Sequence, residues 1–129
     1  MELVVKRFDG LTLAELYEIL KIRVAVFVVE QACPYPEADD KDQAAWHVFL
    51  RENGEIKAYL RVLAPGASFK EASIGRVLTV ERSRGLGGHI LREGIRIARE
   101  RLHADKIRIE AQTYARGFYE KAGFRQVSQ

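Results

Sequence analysis

The chain has 129 residues, 47% of them hydrophobic, which is the size of one compact domain with material for one core. Its formal net charge of +3 suits attraction of an anionic ligand, but the cations are too few and too scattered to imply nucleic-acid binding. A single cysteine, Cys33, excludes an intramolecular disulfide, and neither an apolar run of about 18 residues nor a signal-peptide pattern is seen, so the expectation is a cytoplasmic protein without membrane partners.

Near-alternating Leu3, Val5 and Phe8 predict a first strand over Leu3 to Arg7. Thr12 and Glu15 have the spacing of a capping box, in which each side chain satisfies a backbone N–H at a helix start. Leu13, Leu16, Tyr17, Leu20 and Val24 then keep helical spacing, which predicts a helix from about Leu13 to Phe27. Glu30 to Asp42, with Pro34 and Pro36 among acidic residues, reads as a surface loop. Val48 to Arg51 and the alternation Ile56, Ala58, Leu60, Val62 predict two strands joined at Asn53-Gly54, a pair that tolerates the positive φ of a tight hairpin. Pro65-Gly66 begins another turn, and Ser73 to Val80, rich in β-branched residues, is a further strand. A helix follows from about Gly85 to Leu102, with Leu86, Ile90, Leu91, Ile95, Ala98 and Leu102 as its apolar stripe. Ile107 and Ile109 mark a short strand, and Arg116 to Ala122 a short helix stopped by Gly123. There are no repeats and no linker. This order predicts a single α/β domain of mixed topology spanning residues 1–129.

The segment Arg82-Ser83-Arg84-Gly85-Leu86-Gly87-Gly88 carries the clearest chemistry. It lies between a strand and an amphipathic helix. Glycines there let backbone approach a ligand closely. The unpaired N–H groups and positive dipole end of the helix make an anion site suited to a diphosphate. Arg82 and Arg84 add charge. A dinucleotide-binding loop would need a third glycine where Ile90 stands, and a Walker loop needs Gly-Lys-Ser/Thr, which is absent. A plain glycine-rich turn between strand and helix is the structural alternative.

Arg82-x-x-Gly85-x-Gly87 resembles the Arg/Gln-x-x-Gly-x-Gly signature of the GNAT acyltransferases. Ala115-Arg116-Gly117-Phe118-Tyr119-Glu120-Lys121-Ala122-Gly123-Phe124 resembles that family's second signature. Leu20 to Arg23, Val26 to Gln31, Cys33 to Glu37, Asp42, His47 and Ile74 to Val77 are similar to the ElaA-like subfamily. The resemblance implies a central, mostly antiparallel mixed sheet flanked by helices. It implies acetyl-CoA as co-substrate, with its pyrophosphate on the 82–88 loop and its pantetheine arm along Val77-Leu78-Thr79 and Gln112. It further implies direct attack of a primary amine, on a small molecule or a peptide, upon the thioester. Tyr119 matches the family's tyrosine near the coenzyme sulfur and would act as general acid. From position alone Tyr119 reads sooner as core packing beside Phe118; the flanking motif reverses that.

The general base is not evident. Glu30 ranks first, ahead of Glu37, Asp39, His47 and Glu110. Cys33 reads as a small packed thiol, and His47, His89, His103 and Cys33 lack metal-ligand spacing, so no metal is expected. Arg92, Arg96 and Arg99 share a helix face and would meet a phosphate or, more simply, solvent and Glu93 and Glu100. The acidic residues Glu37, Asp39, Asp40 and Asp42 point to a cationic acceptor such as a polyamine, aminoglycoside or lysine. Two departures from the family stand out. Only Val80 and Glu81 separate Thr79 from Arg82, and the sequence stops at Gln129, where relatives continue into a last strand. A homodimer that covers the remaining edge is the expectation from the second. A non-catalytic acyl-CoA-binding or sensor domain is the rival reading.

Overall fold

A computed structural model describes residues 1–30, 37–81 and 84–109 of the chain, with residues 28–30 described in their backbone alone. Among the described residues the strands are β1 (Glu2–Arg7), β2 (Trp46–Glu52), β3 (Glu55–Leu63), β4 (Ala72–Thr79) and β5 (Ile107–Ile109), and the α-helices are α1 (Leu13–Arg23) and α2 (Leu86–Leu102). The strands form one sheet in the order β1-β2-β3-β4-β5. The first four are antiparallel neighbours, and β5 runs parallel to β4, with α2 as the crossover between them.

Local signals set most of these elements. The Thr12 hydroxyl accepts from the Glu15 N–H and the Glu15 carboxylate accepts from the Thr12 N–H, completing the expected capping box. Asn53 and Gly54 both take positive φ, 53° and 79°, as a two-residue hairpin requires. Helix α2 buries Leu86, Ile90, Leu91 and Ala98 from its predicted stripe, and also Gly94 and Ile97. A Cβ at Gly94 would stand 2.7 Å from a Leu60 methyl, so the missing side chain lets the helix lie close on β3.

Each face of the sheet has its own core. Val48, Leu50, Ala58, Leu60, Val62 and Ile74 pack against α2, while Val4, Phe49, Ile56, Tyr59 and Leu78 pack with Ile19 of α1. Two strand irregularities shape this division. Leu50 pairs with Ala58 but Arg51 with Ile56, so Lys57 is an extra residue in β3. Tyr59 pairs with Leu78 but Arg61 with Gly75, so Arg76 and Val77 together oppose Leu60 in a β-bulge. Ile74 and Leu78, which a regular strand would put on one face, therefore pack on opposite ones. The regular strand expected from Ser73 to Val80 is corrected by this bulge and ends at Thr79.

The first helix departs from expectation at its far end. Its α-helical part stops at Arg23, and a π-helical stretch runs on from Val24 to Glu30. Wide turns of this kind occur often at functional sites. The helix expected over Arg116 to Ala122 lies outside the described residues. No helix among the described residues is long and apolar enough to cross a membrane.

Candidate active site

Strand β4 hands the chain to α2 at the edge of the sheet where β5 lies alongside, paired with it from Ala72 to Ile74. Gly85 is the N-cap of α2, with φ 71° in the left-handed region. A side chain at that φ is strained even though nothing crowds the position. The His89 N–H donates to the Gly85 carbonyl, so the N–H groups of Leu86, Gly87 and Gly88 precede the first intrahelical bond of α2. Leu86 turns its side chain into the core and can offer only its backbone. A Cβ at Gly88 would come within 3.2 Å of Arg92 Nη1, which sets that guanidinium over the first helical turn. Its charge adds to the dipole at the positive end of the helix. Arg84 is differently employed. Its guanidinium holds Glu52 at 3.1 Å and Glu81 at 3.2 Å, tying the start of α2 to the β2–β3 hairpin. Arg96 bridges Glu93 and Glu100, the simpler of the two roles open to it.

The bulge re-aims the end of β4. Val77 is half-buried on the α2 side, Leu78 is buried on the α1 side, and Thr79 closes the strand opposite Ala58. The Val80 N–H donates across to the Lys57 carbonyl. By alternation, every second N–H between the bulge and Thr79 turns toward the edge away from β3. Of the predicted site, Arg82, Ser83, Gln112 and Tyr119 lie outside the described residues, as do Cys33 and Glu110. Glu30 is described in its backbone, at the end of the π-helical stretch.

The acidic segment is where the sequence reading needs correction. Glu37, Asp39 and Asp42 are not a solvated cation-attracting patch, because three arginines from three elements take them up. Arg23 of α1, fully buried, donates to the Glu37 carboxylate, to the Glu37 carbonyl at 2.9 Å and to Asp42 at 2.7 Å. Arg61 of β3 donates to both carboxylate oxygens of Asp39 and to Asp42. Arg76, at the bulge, donates to Glu37 at 3.0 Å. Burial alone would raise the carboxyls of Asp39 and Asp42, but the hydrogen bonds and charges of the arginines outweigh it and hold both below their ordinary range. Only Asp40 in this run is exposed.

His47 sits beneath this cluster, fully buried. Its Nε2 donates to the Asp42 carbonyl at 2.9 Å, so Nδ1 is the acceptor for the Tyr59 hydroxyl at 2.7 Å. Burial holds the imidazole pKa below its ordinary value. A ring with both nitrogens occupied and no solvent contact is structural, which removes His47 as a base candidate. Glu37 and Asp39 are removed by their arginines. The ElaA-like stretches of the sequence include Arg23, Glu37, Asp42, His47 and Arg76, but nothing local paired them with one another.

The chain as a whole is similar to known proteins. The acetyltransferase (GNAT) family matches residues 13–124. Protein ElaA of Escherichia coli is 32% identical over 88% of this chain and 77% of its own. Its crystal structure aligns with TM-score 0.90 and 30% identity, over 99% of this chain and 89% of that one. An acyl-CoA N-acyltransferase from Pseudomonas aeruginosa aligns with TM-score 0.89 and 35% identity, over 99% of this chain and 90% of that one. A predicted acetyltransferase from Clostridium acetobutylicum, solved with acetyl-CoA, shares the fold at TM-score 0.72 and 18% identity, over 99% of this chain and 93% of that one. With the mixed five-stranded sheet and the glycine-capped helix after β4, these place the chain in the GNAT acetyltransferase family, among ElaA-like members, with acyl transfer as its general chemistry.

Proposed function

We propose that the protein moves an acetyl group from acetyl-CoA to a primary amine by direct attack in a ternary complex. The observation that carries this is the glycine-capped start of α2 directly after a bulged strand. It offers the N–H groups that precede the first intrahelical bond, and Arg92, to a diphosphate, and strand-edge backbone groups to the arm that follows it. The acetyl-CoA of the Clostridium acetobutylicum neighbour supports the choice of cofactor.

In this reading the pyrophosphate binds across Arg82 to Gly88, and the pantetheine arm lies along Val77 to Thr79 and Gln112. The amine nitrogen attacks the thioester carbonyl. A backbone N–H of β4 stabilises the oxyanion, and Tyr119 gives its proton to the departing thiolate. Glu30 is the proposed acceptor of the amine proton. Neutral Nε2-H His47 and the arginine-bound Glu37 and Asp39 are unsuited to that task. The protein acts in the cytoplasm, and a homodimer belongs to the same proposal.

Calorimetry with coenzyme A tests the cofactor. Gly87→Val puts a branched side chain into the pyrophosphate path, and a loss of at least tenfold in affinity is expected, about 1.4 kcal/mol. Unchanged affinity rejects the site. Tyr119→Phe tests the chemistry: a fall of about 10²–10⁴ in the rate of the transfer step, measured before steady state, is expected of a lost general acid. A wild-type rate would make Tyr119 packing, and tight coenzyme A binding with no transfer to any of a panel of amines would favour a sensor domain.

A further inference from the structure

Arg76 has no part in the chemistry just proposed, yet it is held in a conformation that arginine rarely adopts. Its φ is 54°, in the left-handed region, at the bulge of β4. A residue with a Cβ persists there only where its surroundings over-determine it, and such residues gather at functional sites. Glycine would make the same bulge without strain.

The groups that hold Arg76 come from the acidic segment between α1 and β2. Its Nε donates to Glu37 Oε1 at 3.0 Å, and its Nη2 reaches the Glu37 carbonyl and the Asp39 carboxylate at 3.4 Å. That same Glu37 oxygen also accepts from Arg23, which α1 buries completely. Asp39 is gripped by Arg61 of β3. The head of Arg76 is therefore fixed to α1 and β3 through two carboxylates, while its backbone forms the bulge.

We propose that Arg76 is a positioning residue: its clamp to Glu37 sets the bulge of β4 and so aims the backbone N–H groups beyond it at the thioester carbonyl. The inference rests on the acetyl-CoA reading above. A backbone donor stabilises an oxyanion only where it is already aimed, since a site free to reorient surrenders the advantage. The pairings of Tyr59 with Leu78 and of Arg61 with Gly75 set two residues of β4 against Leu60, and the clamp holds the first of them, Arg76, to Glu37.

The carbonyl stretch of bound acetyl-CoA labelled with carbon-13 at the acetyl carbonyl reads the aim directly. Coenzyme A calorimetry reads the site that does not depend on it. In the wild type the stretch is expected to move to lower frequency on binding. In Arg76→Gly, which keeps the backbone conformation open but removes the clamp, it is expected to return toward the free value, with coenzyme A affinity within about threefold of wild type. Arg76→Lys keeps the charge but not the forked geometry and is expected to fall between; it serves also if the glycine variant does not fold. A wild-type shift retained in either variant overturns the positioning role. A wild type that binds coenzyme A but shows no shift overturns it too. A wild type that does not bind coenzyme A overturns the cofactor reading itself, before any variant is made.

Discussion

Helices α1 and α2 cover opposite faces of one sheet and are attached by different means. Against α2 lies an apolar layer in which Ile90, Leu91, Ile97 and Ala98 meet Leu60, Val62 and Ile74. Against α1 the layer is mixed: Phe49, Ile19 and Tyr59 are accompanied by buried Arg23, Arg61, Asp42 and His47. Apolar contact is tolerant of direction, so the α2 side gives a firm mount for a helix whose start is the proposed anion site. Buried charges demand particular partners at particular distances. The α1 side uses them to fix the acidic segment and, through Arg76, the end of β4. The half of the site proposed for the cofactor is thus held by packing, and the other half by directed ion pairs.

Removing one ion from the α1 side should have the largest effect. Arg23→Ala leaves Asp42 and Glu37 short of their main donor in a place without solvent, and loss of one partner of a buried pair costs about 3–5 kcal/mol. A denaturant midpoint that drops by much less would mean that Arg61 and Arg76 take over its carboxylates. The matching disturbance of the α2 side is Gly94→Ala. Its new Cβ collides with Leu60 at 2.7 Å, and overpacking a dense core costs about 1–3 kcal/mol. If Gly94→Ala proved the more damaging of the two, the contrast between the faces would be reversed.

The two sides were unequally legible in the sequence, for a physical reason. The hairpin at Asn53-Gly54, the Thr12–Glu15 capping box and the stripe of α2 are written within a few neighbouring residues. So is the glycine loop, whose proposed role rests on helix geometry. The ion cluster joins residues 14, 19, 22 and 39 positions apart, from Arg23–Glu37 and Arg23–Asp42 to Arg61–Asp39 and Arg76–Glu37. No local pattern pairs them, so Glu37, Asp39 and Asp42 read as solvated acids and His47 as a candidate base. The β4 bulge was hidden for a related reason. Ile74 and Leu78 keep the spacing of a regular strand, and only pairing with β3 shows the extra residue.

The pH response should separate the faces, since among the described residues the α2 core holds no titrating group of this kind. Unfolded, His47 takes up a proton near pH 6.5; folded, burial keeps it neutral below that. Its contribution is complete above about pH 6.5 and declines as the pH falls below it, at no more than about 1.4 kcal/mol per unit for one proton. Asp39 and Asp42 behave as depressed acids, so their contribution is present above about pH 4 and is lost on further acidification. Unfolding midpoints measured from pH 8 to pH 3 should therefore fall in two stages. His47→Gln, which keeps a donor for the Asp42 carbonyl, should flatten the first stage and leave the second. A first stage unchanged in that variant would assign it to another group.

The smallest effect is expected where ion pairs are most visible. Arg96 on the outer surface of α2 contacts Glu93 at 3.2 Å and Glu100 at 3.1 Å, a denser set of bonds than many buried residues have. Its side chain is 43% exposed, so water and salt already screen those charges and compete for their hydrogen bonds. Helical pairs at this spacing are worth about 0.3–0.5 kcal/mol. Arg96→Ala should lower stability by no more than that, partly regained through alanine's better helix propensity. Coenzyme A affinity should stay put, because the residue lies two turns beyond Gly88 and its charge is already balanced by two glutamates. Raising the salt concentration should shrink the small loss further while leaving the Arg23→Ala loss largely intact. A loss from Arg96→Ala comparable with that of Arg23→Ala would mean that burial does not set the worth of these pairs.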